Sequence, residues 1–327
     1  MAEGAEAKPG IPGTEPAAPG TGPGTPGNEA GTAGTDPGTA ATGPGTAGTG
    51  PGRKRTIRAG RNLPIAAAVG AAMGALVFLS LFTVKATFLI YMGAAVCLAG
   101  WEMYRALGSG GIRLPLVPLA LGGAAMWTSA YWIGPRAALA AVGLAAVAVA
   151  GWRLPRGADG YVRDVTAGIF TLAYLPLLAT FAVLMLASRD GPQRVLLFIV
   201  LTICNDIGGY FAGILIGRHL LVPRISPKKT WEGLAGSAVV CIGAGVGLLP
   251  VLLNGHLWQG AIVGAAAVAA STLGDLVESQ IKRDLNIKDM GSVLPGHGGI
   301  LDRLDSLLAN APVTWLLLAL FVPAGAH

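Results

Sequence analysis

Leu196–Gly213 reads LLFIVLTICNDIGGYFAG. With its apolar flanks the run extends over 194–216, about the 20 residues needed to cross the hydrocarbon core of a bilayer. The one charged side chain within Leu196–Gly213, Asp206, sits next to Asn205 at mid-run. A carboxylate is expensive at that depth, so it marks a candidate functional position; a polar contact between helices is the plainer alternative. Gly208 and Gly209 follow and would let a second helix or a ligand approach closely.

The rest of the chain shares the character of this run. Of 327 residues, 53% are hydrophobic and 12% charged, against about 25% charged in an average soluble domain. Many of the 50 glycines lie inside apolar runs, as expected where membrane helices pack closely. These features exclude the ordinary soluble class and predict an all-α, polytopic membrane protein. Nine apolar segments can be drawn, at about 63–83, 86–101, 114–134, 136–151, 165–187, 194–216, 234–253, 258–277 and 307–323. The second and fourth are the shortest, each joined to its predecessor by a tight turn. Cys97, Cys204 and Cys241 all fall in apolar stretches with no metal-ligand spacing, so buried thiols are expected.

Ahead of the first segment, residues 1–52 are Gly, Pro, Thr and Ala with scattered acids. Nothing there could offset the entropy of ordering, so a disordered tail is predicted. One lysine against five acids gives residues 1–51 a charge of −4 within a chain of net +6, leaving +10 on the remainder. Residues 53–62 carry Arg53, Lys54, Arg55, Arg58 and Arg61 directly before the first apolar run. This is a topology signal with affinity for anionic lipid rather than a nucleic-acid site. With the N-terminus inside, nine spans place 19 of the Lys and Arg residues on the inner side and 4 on the outer side. That bias follows the positive-inside rule and predicts cytoplasmic loops at 217–233 and 279–305. The chain then divides into an N-terminal transmembrane region, 63–190, and a C-terminal region, 191–327, that holds the candidate chemistry.

Three further groups of residues carry that chemistry. Ser226-Pro-Lys-Lys-Thr-Trp-Glu-Gly233 places Lys228 and Lys229 between the hydroxyls of Ser226 and Thr230. Pro227 is suited to open a helix whose free N–H groups favour an anion. Asp275, Glu278 and Lys282 follow at i, i+3 and i+7, on one helix face, with Asp275 the strongest single candidate for a metal ligand. The third group is the densest polar run of the chain, Ser279–Asp305, SQIKRDLNIKDMGSVLPGHGGILDRLD. It holds Lys282, Arg283, Lys288, Asp289, His297, Asp302, Arg303 and Asp305. Cations mixed with carboxylates suit a phosphate-rich substrate that arrives with a divalent ion. Asp302 and Asp305, spaced i, i+3, form a second pair of candidate metal ligands. A solvated loop is the bland reading of the same run.

The order of these residues narrows the choice. Ser279, Lys282-Arg283, Lys288-Asp289, Pro295-x-His-Gly-Gly299 and Asp302-Arg-x-Asp305 resemble the signature of the phosphatidate cytidylyltransferases, the CDP-diacylglycerol synthases. The Ser-Pro-Lys-Lys-Thr-x-Glu-Gly stretch at 226–233 and the Asn205-Asp206 pair, with small residues and Tyr210 after it, resemble that family as well. The likeness spans Asn205 to Asp305. It implies a multi-pass enzyme of the plasma membrane, facing the cytoplasm, that uses CTP, phosphatidic acid of the surrounding membrane lipid and Mg2+, with one metal ion or two, and no nucleic acid. A homodimer is compatible with it. It implies catalytic roles for Asp206, Lys228, Lys229, Asp275, Asp302 and Arg303, and a metal held by Asp275, Asp302, Asp305 and Asp206. Substrate contacts fall to Asn205, Ser226, Thr230, Glu232, Glu278, Lys282, Arg283, Lys288, Asp289 and His297. Glu232 either orients a lysine or touches the ribose; His297 either contacts phosphate or fixes the glycine turn. His219, His256 and His327 have no comparable context. A transporter is the rival class: it accounts for Asp206 but gives no reason for the loop motifs. A CDP-alcohol phosphotransferase would need an Asp-x-x-Asp-Gly-x-x-Ala-Arg core that the chain lacks.

Overall fold

The computed structural model describes residues 74–291 and 298–322. The tail 1–52, the basic segment 53–62, the beginning of the first apolar segment and His297 lie outside these residues. Within them the chain runs α1 (Gly74–Thr83), α2 (Lys85–Ser109), α3 (Leu116–Trp132), α4 (Pro135–Arg153), α5 (Tyr161–Leu172), α6 (Leu178–Ala187) and α7 (Gly191–Ile216). After these come β1 (Leu220–Val222), β2 (Ser226–Thr230), α8 (Trp231–Leu253), α9 (Leu257–Asp284) and α10 (Leu301–Phe321). Every one of the nine apolar segments contains helix.

Seven helical stretches among the described residues are long and apolar enough to span a membrane: α2, α4 with its extension to Arg156, α5 through α6, and α7 to α10. The two segments that looked shortest, α2 and α4, are long enough to span, because helix continues past the apolar residues into flanking polar ones. The third segment, α3, has 17 residues and falls short. The first is described only from Gly74.

Local chemistry explains the helix ends. Thr230 caps α8 by accepting from the Gly233 N–H at 3.0 Å, and Asn254 ends it in the left-handed region. Gln259 folds back on the His256 N–H at 2.8 Å to open α9. Between α5 and α6 the helix does not break but widens to a π-turn over Ala173–Leu177, where Pro176 has no N–H to give the ladder. The Pro176 carbonyl accepts instead from Trp127 Nε1 at 3.0 Å and Thr180 Oγ1 at 2.7 Å.

The all-α expectation needs one correction. The segment between α7 and α8 is an antiparallel hairpin, β1 with β2, pairing Leu220 with Thr230 and Val222 with Ser226. Pro227 therefore lies in a strand and opens no helix; α8 starts at Trp231, after the Thr230 cap. The polar run 279–305 is likewise shorter as a loop than expected. α9 continues to Asp284 and α10 begins at Leu301, since the polar residues of both ends keep helical spacing.

Helices α7 to α10 form successive antiparallel neighbours, with α7 on α8, α8 on α9 and α9 on α10 the most extensive of these contacts. The α7–α8 contact is close because a Cβ on Gly236 would overlap Ala212 and one on Gly208 would lie 2.9 Å from the Gly236 carbonyl. One apolar core fills the space among α6 to α10, including Leu197, Leu201, Val263 and Leu318. A second joins α2 to α5 with Met290, Ile300 and Leu301 at the start of α10. The hairpin, the end of α9 and the start of α10 consequently meet at one end of the bundle.

Candidate active site

At that end lies a cavity of about 330 Å3. α7 contributes Asn205, Asp206, Gly209 and Tyr210 to its wall; the hairpin contributes Ser226, Lys228, Lys229 and Thr230. Ser237 of α8 and Thr272 and Asp275 of α9 complete the polar lining. Two of the sequence groups, one in α7 and one in the hairpin, thus share one wall, and Asp275 joins them from α9.

Asp275 is the hub. Its carboxyl pairs with Lys229 Nζ on one side and accepts the Ser306 hydroxyl of α10 on the other. Asp305 lies against it, within hydrogen-bonding reach. Asn205 donates to Asp206 Oδ1 at 3.2 Å, while its own backbone carbonyl accepts from Ser237 Oγ at 2.6 Å. Asn205 Oδ1 is buried with no partner among the described residues. A buried acceptor without a donor, next to two carboxylates, is a setting that suits a hard cation.

A second cluster sits about one helical turn further along α9. Lys282 bridges Glu278 and Asp302, the latter at 2.9 Å. Asp302 also accepts from the Gly299 N–H at 3.0 Å and the Met290 N–H at 3.2 Å. The helix-face spacing of Asp275, Glu278 and Lys282 and that of Asp302 and Asp305 are thus as expected. The single four-carboxylate cage is not: among the described residues no three His, Cys, Asp or Glu side chains gather as a metal site. Asp302 lies in the second cluster, held by Lys282 and by two N–H groups of the chain leading into α10, and lines no part of the cavity that holds Asp206 and Asp275. The residues that fit Mg2+ are Asp206 and Asp275, because this ion commonly takes one or two carboxylates and completes its shell with water and substrate phosphate.

Other expected residues fall elsewhere. Glu232 contacts neither lysine: it accepts from His219 Nδ1 at 2.5 Å and from the Arg218 and His219 N–H groups at 3.1 and 3.2 Å. It fixes the turn from α7 into the hairpin, and His219, expected to be ordinary, is its partner. Arg283 reaches back to the Ile225 carbonyl at 3.4 Å and ties α9 to the hairpin. Lys288 and Asp289 are exposed in the α9–α10 connection, and Arg303 occupies the first turn of α10. None of these lines the cavity. Sequence reasoning also missed Glu102 of α2, which bonds the start of α10, and Tyr174 of the π-turn, whose buried hydroxyl has no partner among the described residues and lies near Asp275, Glu278 and Asp305. Only the proline at 176 hinted at the second.

Two lysines on a polar hairpin thus share one cavity with two carboxylates held in helices long and apolar enough to span a membrane. The chain belongs to the cytidylyltransferase family, whose model matches residues 65–321, and it is a nucleotidyltransferase. It is 41% identical over 283 residues to the phosphatidate cytidylyltransferase of Mycobacterium leprae, covering 82% of this chain and 91% of that protein. The corresponding protein of Mycobacterium bovis is 39% identical over 279 residues, covering 81% and 91%. That of Brucella suis is 32% identical over 179 residues, covering 55% and 63%.

Proposed function

We propose that this chain transfers a cytidylyl group from CTP to phosphatidic acid, giving CDP-diacylglycerol and pyrophosphate. The observation that carries the reading is the single cavity lined by Lys228, Lys229, Asp206 and Asp275, together with relatives of that name over most of the chain. A phosphate monoester oxygen of the lipid attacks the α-phosphorus, and the bond from that phosphorus to the bridging oxygen of the β-phosphate breaks. The second pKa of a phosphate monoester is about 6, so the attacking group is already largely dianionic near neutrality and needs no general base.

The difficulty is then to bring two polyanions together, and positioning with charge neutralisation does most of the work. Lys228 and Lys229 face the triphosphate, with Ser226 and Thr230 as neutral donors beside them. Asp206 and Asp275 would hold Mg2+. When bound, that ion supplies charge neutralisation between nucleotide and lipid phosphate. Asp275 also keeps Lys229 directed into the cavity rather than into solvent. Lys282, held by Glu278 and Asp302, and Arg303 supply positive charge on the headgroup side. Walls made of membrane-spanning helices leave the acyl chains in the bilayer throughout. The excess of Lys and Arg on one set of loops supports a cytoplasmic site, where CTP is available.

The test is pyrophosphate release by purified protein in detergent with CTP, Mg2+ and phosphatidic acid, omitting each in turn. Release that requires all three is expected. Release of CMP instead would indicate a phosphotransferase, and no release from folded protein would return the transporter reading.

A further inference from the structure

The N-terminal helices form no part of the cavity, yet one of them reaches the catalytic end. Glu102 of α2 is 2% exposed, set between Ala99 and Met103 in the core that joins α2 to the start of α10. Its two carboxyl oxygens accept from the Ile300 N–H at 3.1 Å and the Leu301 N–H at 2.9 Å. These are the first backbone donors of α10, and α10 has no capping side chain of its own. A helix N-terminus leaves such N–H groups unsatisfied and favours an acidic partner. Here that partner comes from a residue 198 positions earlier in the chain.

A second carboxyl reaches the same few residues from the other side. Asp302, on the first turn of α10, accepts from Gly299 and Met290. A Cβ on Gly299 would lie 2.7 Å from Asp302 Oδ2 and 2.8 Å from Glu102 Oε2. The chain entering α10 is thus gripped between one carboxyl from α2 and one from α10. Gly291 packs beside Gly299 against Glu102, where an added Cβ would overlap the carboxyl itself. The turn so fixed carries Arg303 and Asp305, and Asp305 lies against Asp275.

We propose that Glu102 is a positioning residue for the transfer reaction. By capping α10 from α2 it sets the register of Asp302, Arg303 and Asp305 against α9, without touching substrate. The inference rests on the cytidylyl-transfer reading of the site, and wild-type protein in the same assay separates the two. If wild type releases no pyrophosphate, that reading fails; if wild type is active and the variants behave like it, only the role of Glu102 fails.

Glu102→Gln keeps the shape but turns an NH2 group toward one of the two backbone donors. Its turnover number is expected to fall at least tenfold, with the CTP KM within twofold of wild type and an unfolding temperature close to it. Glu102→Asp retains both acceptor oxygens one methylene back and should recover part of the loss. A purely structural role predicts a lowered unfolding temperature with unchanged turnover per folded molecule, and that result overturns the proposal. Should Glu102→Gln not fold, Gly291→Ala decides the matter. Gly291 has no positive φ, so alanine adds only the push on Glu102. A several-fold fall in turnover at constant KM supports the proposal, and wild-type turnover refutes it.

Discussion

Replacing Asp275 by Asn should separate catalysis from folding. In the structure Asp275 pairs with Lys229 and accepts from Ser306. Asparagine keeps an acceptor for Ser306 but loses the charge that faces Lys229. The two side chains of the pair are 23% and 25% exposed, between the fully solvated case, where a pair contributes roughly 0.2–1 kcal/mol, and the buried case, where losing one partner costs about 3–5 kcal/mol. A folding cost of about 1–2 kcal/mol follows, small enough for the protein to remain folded in detergent. Turnover should suffer more. Loss of a carboxylate that holds the lysine and, in the proposed mechanism, the metal should lower it at least ~100-fold, which is about 2.7 kcal/mol at ~1.36 kcal/mol per factor of ten. Lys229→Ala alone should cost about tenfold, since Asp275 remains. Because the two side chains touch, the double variant should be barely worse than Asp275→Asn, a coupling of about 1 kcal/mol. Initial rates of pyrophosphate release at saturating CTP and phosphatidic acid give all four corners of the cycle. Asp275→Asn within threefold of wild type would falsify the assignment of this carboxylate, and a fully multiplicative double variant would show that Lys229 acts independently of it.

Three further outcomes are expected. Lys228→Ala should raise the CTP KM several-fold with little change in turnover; a change confined to the KM for phosphatidic acid would move this lysine to the headgroup site. Gly236→Leu forces side-chain atoms into Ala212 and the Gly208 carbonyl. Overpacking of this kind costs about 1–3 kcal/mol, so the unfolding temperature in detergent should drop, and an unchanged value would mean that α7 and α8 do not pack this closely. For Asp190, before α7, burial raises the carboxyl, but the hydrogen bonds and charge of Arg194 outweigh that and hold it below its usual range. A depressed carboxyl contributes stability that is present above the unfolded value, ~3.9, and lost as pH falls through the folded one. The unfolding temperature should therefore fall as pH is lowered below about 4, and Asp190→Asn should flatten that dependence; an identical profile in the variant would refute it.

The parts of the site that were legible in the sequence are those set by local spacing. Asp275, Glu278 and Lys282 share a helix face because helix geometry requires it. The hairpin was less legible, since Ser-Pro-Lys-Lys-Thr suits the start of a helix as well as an edge strand, and only pairing with Leu220–Val222 decides between them. Glu232 shows the same limit: nothing local indicates that its partner is His219 rather than a lysine.

By itself the sequence determined the class, the number of apolar segments and the identity of the charged groups, because hydrophobicity and helical period are properties of neighbouring residues. The tertiary structure alone decided which charges meet. It placed Lys229 on Asp275, turned Asp302 inward to Lys282 and two backbone N–H groups, and brought Glu102 to the first turn of α10. Contacts across tens to hundreds of residues depend on how the helices stack. That is fixed by summed packing over whole faces, which leaves no mark at the residues that end up touching.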